Sequence, residues 1–158
     1  MKEAAPTIVI PKEEAVFRLG GDGWWRNEAG RIRKKKIVDY LHKCIDRDEN
    51  GYFVLHDKGG KWEKVYFPYE DTALFVFDIS RAGEGLRDIV LVLNTGRNIP
   101  LKPENLYIHN DSLYMARGQE KIKFAERALV KFSKLLTEDE NGRLVLKSGG
   151  HSYVIPEK

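Results

Sequence analysis

A cluster of cations stands at the start of the first predicted helix and has the composition of an anion-binding site. Its six basic residues fall within eleven positions, opposed by one acid, Glu28. They are Arg26, Arg31, Arg33, Lys34, Lys35 and Lys36. Helix N-termini normally favour acids, because unpaired N–H groups and the helix dipole make that end positive. Cations placed there indicate a site for phosphate or carboxylate, which Lys34 would reach from the apolar side of the helix.

Two adjacent tryptophans strengthen this interpretation. Trp24 and Trp25 lie on a short predicted strand beside the cluster, where either ring offers a surface on which a nucleotide base could stack. The competing interpretation is a solvated basic turn whose lysine stems cover apolar surface. We predict that Trp24, Trp25, Arg26, Arg33 and Lys34 bind the ligand.

Other chemistries have weaker support. The segment 46–57 copies the oxygen spacing of a calcium loop, but its twelfth position is Asp57 rather than Glu, and a hairpin is predicted where a helix should follow. The four histidines are scattered, and Cys44 lies on an apolar helix stripe. The sequence contains no Gly-x-Ser-x-Gly elbow and no phosphate-loop motif. We therefore predict no catalytic residue, no metal site and no cofactor, and a protein that is not an enzyme.

Composition limits the class of protein. A chain of 158 residues that is 42% hydrophobic and carries a net charge of +3 is an ordinary globular sequence that does not demand a polyanionic partner. No apolar run approaches the ~18 residues of a membrane span. The start of the chain lacks the pattern of a secretory signal, and the single cysteine excludes an internal disulfide. We expect a cytoplasmic location.

The elements that must position the candidate site occur twice. Asp-Glu-Asn-Gly occupies residues 48–51 and again 139–142, each time after a predicted helix and before a predicted hairpin. A repeat at a fixed offset indicates one supersecondary unit used twice. We predict helices over 31–45 and 121–136 and mainly antiparallel strands elsewhere, which is an α+β fold of two repeated lobes, each a helix packed on strands. The predicted divisions are an arm over 1–14, a first lobe over 15–80 and a second over 81–158.

Five short motifs, in their order and spacing, resemble a bacterial family known as domain of unknown function twelve eighty-five (DUF1285). They are Asp22-Gly23-Trp24, Gly30-x-Ile32, Asp48-Glu49-Asn50-Gly51-Tyr52, Glu70-Asp71-Thr72-Ala73 and Asn94-Thr95-Gly96. The resemblance covers residues 16–156. It departs from the family pattern at residues 72–74, where Ala-Pro-Phe would be expected after the acidic pair.

The resemblance implies a duplicated core whose second half is similar to a pleckstrin-homology-type barrel. It also implies a ligand site between the lobes, for a nucleotide-like molecule, and a role in signalling. No catalytic residue is established for the family, so none is transferred. Asp71, Asn94 and Arg97, which lie in or beside the family motifs, complete our predicted set of ligand-binding residues.

These observations rank the candidate functions. A non-enzymatic module that binds a phosphate-bearing small molecule between its lobes comes first. The alternative is a protein–protein adaptor whose exposed aromatic patch would consist of Trp24, Trp25, Trp62 and Tyr66. Nucleic-acid binding is disfavoured by the small net charge and by the acidic segments 46–49 and 138–140.

Overall fold

In a computed structural model, which describes residues 7–148 and 150–158, the chain divides into two units. The first unit ends at Ala73 and the second begins at Leu74. Both combine strands with a short α-helix, so the predicted α+β class is confirmed. Among the described residues, no helix is long and apolar enough to cross a membrane.

The first unit contains a four-stranded sheet, a three-stranded sheet and helix α1. Its elements are β1 (Thr7–Ile10), β2 (Arg18–Leu19), β3 (Trp25–Asn27), β4 (Gly30–Arg31), α1 (Lys35–Lys43), β5 (Ile45–Asp48), β6 (Gly51–Lys58) and β7 (Lys61–Tyr66). The larger sheet has the order β1-β7-β6-β5, in which β1 runs parallel to β7 and the other pairs are antiparallel. The smaller sheet has the order β2-β3-β4. A 3-10 turn, Lys12–Glu14, follows β1.

Helix α1 is shorter than predicted. The predicted helix began at residue 31, but Gly30 and Arg31 form β4, and the next residue, Ile32, donates its N–H to the Trp25 carbonyl at 2.8 Å. The helix therefore starts only after the extended residue Lys34. Val38 and His42 are its buried residues, whereas Ile37 is 49% exposed.

The second unit is built around a six-stranded sheet. Its elements are β8 (Leu74–Arg81), β9 (Ile89–Leu93), β10 (Asn98–Pro100), β11 (Leu106–His109), β12 (Ser112–Arg117), β13 (Glu120–Phe124), α2 (Glu126–Phe132), β14 (Leu136–Glu138), β15 (Leu144–Ser148) and β16 (His151–Val154). The large sheet has the order β10-β9-β8-β13-β12-β11, and β14-β15-β16 form a separate sheet. Helix α2 packs against β8. Short 3-10 turns occupy Leu86–Asp88, Pro103–Asn105 and Ser133–Leu135.

The prediction of a helix over residues 121–136 was wrong for residues 121–124. Residues 120–124 form β13, which pairs in parallel with β8 through Ile122 opposite Leu74 and Phe124 opposite Val76. In the sequence Lys-Ile-Lys-Phe the buried apolar residues alternate with lysines, and this period of two is typical of a strand. The helix begins only at Glu126 and ends at Phe132.

The repeated sequence folds into the same order of elements in both units. In the first unit α1 leads into the meander β5-β6-β7, and in the second α2 leads, through a 3-10 turn, into β14-β15-β16. The turns also share their chemistry. The carboxylate of Asp48 accepts the N–H of Asn50 at 2.9 Å, and that of Asp139 accepts the N–H of Asn141 at 2.9 Å. The Asp-Glu-Asn-Gly signal is thus a turn motif that two local bonds explain.

The division between the units lies earlier than we predicted. We placed residues 74–80 in the first lobe, but this stretch belongs to β8, which pairs with β9 and β13 in the second unit. The predicted arm contributes β1, which is an edge strand of the sheet of the first unit, with Ile8 and Val9 exposed.

Candidate functional site

The two neighbouring tryptophans have opposite environments. Trp25 is fully buried, with its ring at 4.9 Å from that of Phe67 and 5.5 Å from that of Phe17, measured between centroids. Its indole N–H donates to Nδ1 of His42 at 3.1 Å. Trp25 is therefore a core residue, which corrects our prediction that it offers a stacking surface. Alternation along a strand explains the difference, because consecutive side chains point to opposite faces.

Trp24 points outward and carries a stacked cation. The side chain is 39% exposed, and the guanidinium carbon of Arg31 lies 3.4 Å from the ring centroid. The N–H of Trp24 is held by Oδ1 of Asp22 at 3.1 Å, which fixes the backbone at this point. Arg31 belongs to the basic cluster but was missing from our predicted site. The pairing of β3 with β4, with Arg26 opposite Arg31, is what brings it to Trp24.

Arg33 and Lys34 lie in the extended segment just before α1 and are exposed. The first turn of the helix contains no acidic residue, and no side chain caps it. Lys35 pairs with Asp39 one turn later at 2.5 Å. By contrast, none of Arg33, Lys34 and Lys36 forms an ion pair with any residue that the structure describes. The helix start is therefore positive, as the sequence predicted.

Arg26 already forms an ion pair within the protein. Its guanidinium makes a two-point contact with the carboxylate of Asp22, at 2.9 and 2.8 Å. This hydrogen-bonded pair lowers the pKa of Asp22 and raises that of Arg26. Because the carboxylate already occupies the guanidinium edge, Arg26 would have to exchange partners to bind an anion.

A recess of about 530 Å³ surrounds this ion pair. Besides Arg26 and Asp22, it is lined by Arg18, Glu70 and the glycines at 20 and 21, among others. A side chain at Gly21 would place its Cβ 1.8 Å from a carboxylate oxygen of Glu70, so the close approach of Glu70 depends on this glycine. Two guanidinium groups face two carboxylates here. The recess is polar but its formal charge is balanced.

The remaining predicted residues are divided between the two units. Asp71 is partly buried in the first unit. Asn94 and Arg97 belong to the second unit, where each has a structural partner. The buried side chain of Asn94 accepts the N–H of Phe75 at 2.9 Å. Arg97 contacts both carboxylate oxygens of Glu120, at 3.2 and 3.1 Å. The ligand position between the lobes stays a prediction.

The predicted exposed aromatic patch cannot include Trp25, because that side chain is buried. Trp62 and Tyr66 are half-buried on β7. The Tyr66 hydroxyl donates to Asp48 at 2.5 Å, and the Lys64 ammonium approaches the same carboxylate at 2.6 Å. Burial acts to raise the pKa of Asp48, but the hydrogen bonds from Lys64, Tyr66 and the Asn50 N–H, together with the charge of Lys64, outweigh it, so that the pKa lies below its usual value. Tyr66 thus has a structural role.

The calcium-like segment forms part of an antiparallel hairpin. Residues 45–48 and 51–58 are β5 and β6, and Asp48 pairs directly with Gly51 across the turn. No group of three or more His, Cys, Asp or Glu side chains suited to a metal ion occurs among the residues that the structure describes.

Two solved structures share this fold. A DUF1285 family protein from Silicibacter pomeroyi DSS-3 is 15% identical with a TM-score of 0.64, and the match covers 98% of this chain and 85% of that one. A second, from Shewanella baltica OS155, is 16% identical with a TM-score of 0.53, covering 78% of this chain and 94% of that one. No protein-family model and no curated protein matches the chain.

The chain therefore has the α+β fold of DUF1285 family proteins, the family that its five motifs resemble. This likeness of fold agrees with the resemblance that the five motifs predicted. The likeness of the second half to a pleckstrin-homology barrel stays a prediction.

Proposed function

We propose that the protein is a non-enzymatic binding module for a phosphate-bearing, nucleotide-like small molecule, and that it serves signalling in the cytoplasm. The proposed site is the Trp24 surface, defined as the side chains of Trp24, Arg31, Arg33 and Lys34. All four side chains belong to the first unit.

The observation that carries the proposal is the stack of Arg31 on Trp24, with 3.4 Å from guanidinium carbon to ring centroid. A guanidinium packed over an aromatic ring is restrained in advance and can still use its N–H groups for oxygen acceptors. Arg31 forms no ion pair with a described carboxylate, so that edge is not committed within this part of the chain. An oriented guanidinium of this kind suits the two-point recognition of a phosphate.

The surroundings favour the same ligand. Arg33 and Lys34 add two exposed cations next to a helix start that contains no acid. The exposed part of Trp24 supplies a surface for a base, since every nucleobase has a face that stacks on an aromatic ring. A ligand that carries both a base and a phosphate would use both features, whereas inorganic phosphate would use only the cations.

A thermal-shift titration tests the proposal. Nucleotides at increasing concentration should raise the melting temperature, because a ligand of the native state stabilises it. Arg31→Ala and the double variant Arg33→Ala/Lys34→Ala should each reduce the shift, whereas Trp24→Ala should reduce it for nucleotides more than for inorganic phosphate.

The matched control is Lys134→Ala/Lys147→Ala, which removes two exposed cations from the second unit. It should leave the shift unchanged. If the variants of the Trp24 surface respond to nucleotides as the unaltered protein does, the site is wrong. If no nucleotide or phosphate shifts the unaltered protein, the proposed ligand class is wrong.

The second candidate function is a protein–protein adaptor, and one observation favours it. Ile37 and Tyr40 lie three residues apart on α1 and are 49% and 48% exposed, which places two apolar side chains side by side on the surface. An adaptor would lose its partner in Ile37→Lys and keep it in Arg33→Ala/Lys34→Ala. A small-molecule module would show the opposite pattern in the titration above.

A further inference from the structure

A cavity of about 400 Å³ lies at the C-terminal end of α1 in the first unit. The residues that define its chemistry come from α1, β5, β6 and β7. They are Tyr40, Lys43, Asp46, His56, Asp57 and Trp62. Two carboxylates and three aromatic rings thus face one small space, with a single cation, Lys43, among the residues that the structure places around it.

The cavity wall is built by strand register. Asp57 lies directly opposite Trp62, and His56 lies opposite Glu63, in the pairing of β6 with β7. The imidazole of His56 is held by a hydrogen bond of 2.7 Å to the carboxylate of Glu63, which is itself 9% exposed. The ring of Tyr40 meets that of His56 edge to face, with 6.4 Å between centroids. His56 is therefore fixed in the cavity wall between Glu63 and Tyr40.

Three features of this space favour a positive charge. The carboxylates of Asp46 and Asp57 outnumber the ammonium of Lys43. The last carbonyl groups of a helix and its dipole make the C-terminal end negative, and α1 ends at this cavity. The electron-rich faces of tryptophan and tyrosine attract cations that shed their water easily.

We propose that this cavity binds a small organic ammonium ion of the quaternary or methylated kind, held by Tyr40 and Trp62 and neutralised by Asp46 and Asp57. Such an ion is weakly hydrated and large enough to touch several walls at once, and aromatic surface suits it better than it suits a bare metal ion. Helix α1 is about 14 Å long at 1.5 Å per residue, so this cavity and the basic helix start lie at opposite ends of it. The two proposals are independent.

Choline and its neutral isostere 3,3-dimethyl-1-butanol are the probes for this site. Each is titrated into the full chain while the three indole N–H signals are followed by two-dimensional ¹H–¹⁵N NMR, with Trp62→Phe used to assign the signal of Trp62. Choline should shift that signal saturably, and the alcohol should shift it much less, because only the charge differs.

Charge and ring variants sharpen the test. Oδ1 of Asp57 accepts the N–H of Gly60 at 3.0 Å. Asp57→Asn keeps an oxygen that can accept this N–H but removes the negative charge. It should therefore weaken choline binding by about threefold or more. Tyr40→Leu, on an exposed helix position, should weaken binding similarly, and Lys43→Gln should strengthen it. Glu140→Gln removes an exposed carboxylate from the second unit and should change nothing.

Three results would overturn the proposal. The signal of Trp62 could stay fixed as choline is added, it could move equally with the neutral alcohol, or the choline affinity could be the same in Asp57→Asn and Glu140→Gln. If Asp57→Asn perturbs the hairpin, the choline affinity of Lys43→Gln provides an independent test. An unchanged affinity in Lys43→Gln would also count against an electrostatic site.

Discussion

The indole N–H of Trp25 donates a hydrogen bond of 3.1 Å to Nδ1 of His42, and both side chains are buried in the first unit. Nδ1 accepts this bond only when it carries no proton. Burial lowers the pKa of His42 from 6.5 to about 4, with a smaller opposing effect of Asp39. The core of this unit is therefore built around a neutral histidine.

Stability should decrease as the pH is lowered because of this histidine. In the unfolded chain His42 has its ordinary pKa of 6.5, so the unfolded state binds the proton first as the pH decreases. Above pH 6.5 this histidine leaves the free energy of unfolding unaffected. Between pH 6.5 and about pH 4 the free energy of unfolding falls by about 3 kcal/mol in total. Urea unfolding at a series of pH values measures the loss.

His42→Gln is the control for that prediction, because glutamine can offer an oxygen to the Trp25 N–H and does not titrate. The loss of stability across the same pH window should be smaller in this variant, even if its stability at neutral pH is lower. Equal pH dependence in the two proteins would mean that another group is responsible.

The sequence could predict some of this architecture because the signals were local. The repeated Asp-Glu-Asn-Gly turn specifies the strands on either side of it, at residues 48–51 and again at 139–142. The orientation of Trp24 and Trp25 had no such signal. Trp24 directly precedes β3 and Trp25 begins it, and only the packing of Trp25 on Phe17, His42 and Phe67 decides that Trp25 is inside.

The errors in the helices have a similar origin. Residues 121–124 satisfy both a helical stripe and a period of two, and the sequence alone does not show that β8 is available as a parallel partner. Two residues of the predicted site already have tertiary partners that the sequence did not reveal, namely Asp22 for Arg26 and Glu120 for Arg97. The type of a residue shows that its side chain can bind a ligand, whereas its tertiary contacts decide whether that side chain already has a partner within the protein.

The ion pair of Lys64 and Asp48 should contribute more to stability than a fully exposed pair. Both side chains are about three-quarters covered, at 24% and 23% exposure, and the ammonium also lies 4.4 Å from the ring centroid of Phe53. Lys64→Met should cost about 1–2 kcal/mol, measured by chemical unfolding. Lys131→Met breaks the exposed pair with Asp78 and should change stability by less than about 0.5 kcal/mol. Equal costs would contradict the role of burial.

The two turn glycines of the repeat should differ in their tolerance of asparagine. Gly142 has a φ of 76° and no neighbouring atom within 4 Å of the place that a Cβ would occupy, and asparagine accepts the left-handed region well. Gly51 has a φ of 119°, and its Cβ would lie 3.1 Å from the hydroxyl of Tyr69. Gly142→Asn should therefore cost about 0.5 kcal/mol or less, and Gly51→Asn about 1–3 kcal/mol, by thermal unfolding. The reverse order would show that the turns are not built as described.

Asn94 and Arg97 allow structural and binding roles to be separated. Asn94→Ala removes the buried acceptor of the Phe75 N–H and should destabilise the protein by about 1–3 kcal/mol, because that N–H loses its partner. Arg97→Ala breaks a partly exposed pair with Glu120 and should cost less than about 1 kcal/mol. Chemical unfolding measures both costs.

The nucleotide titration is then repeated on each variant at a temperature where it is folded, and unchanged affinity in both would assign these residues to the framework. A loss of affinity in Arg97→Ala with little loss of stability would instead return Arg97 to the ligand site.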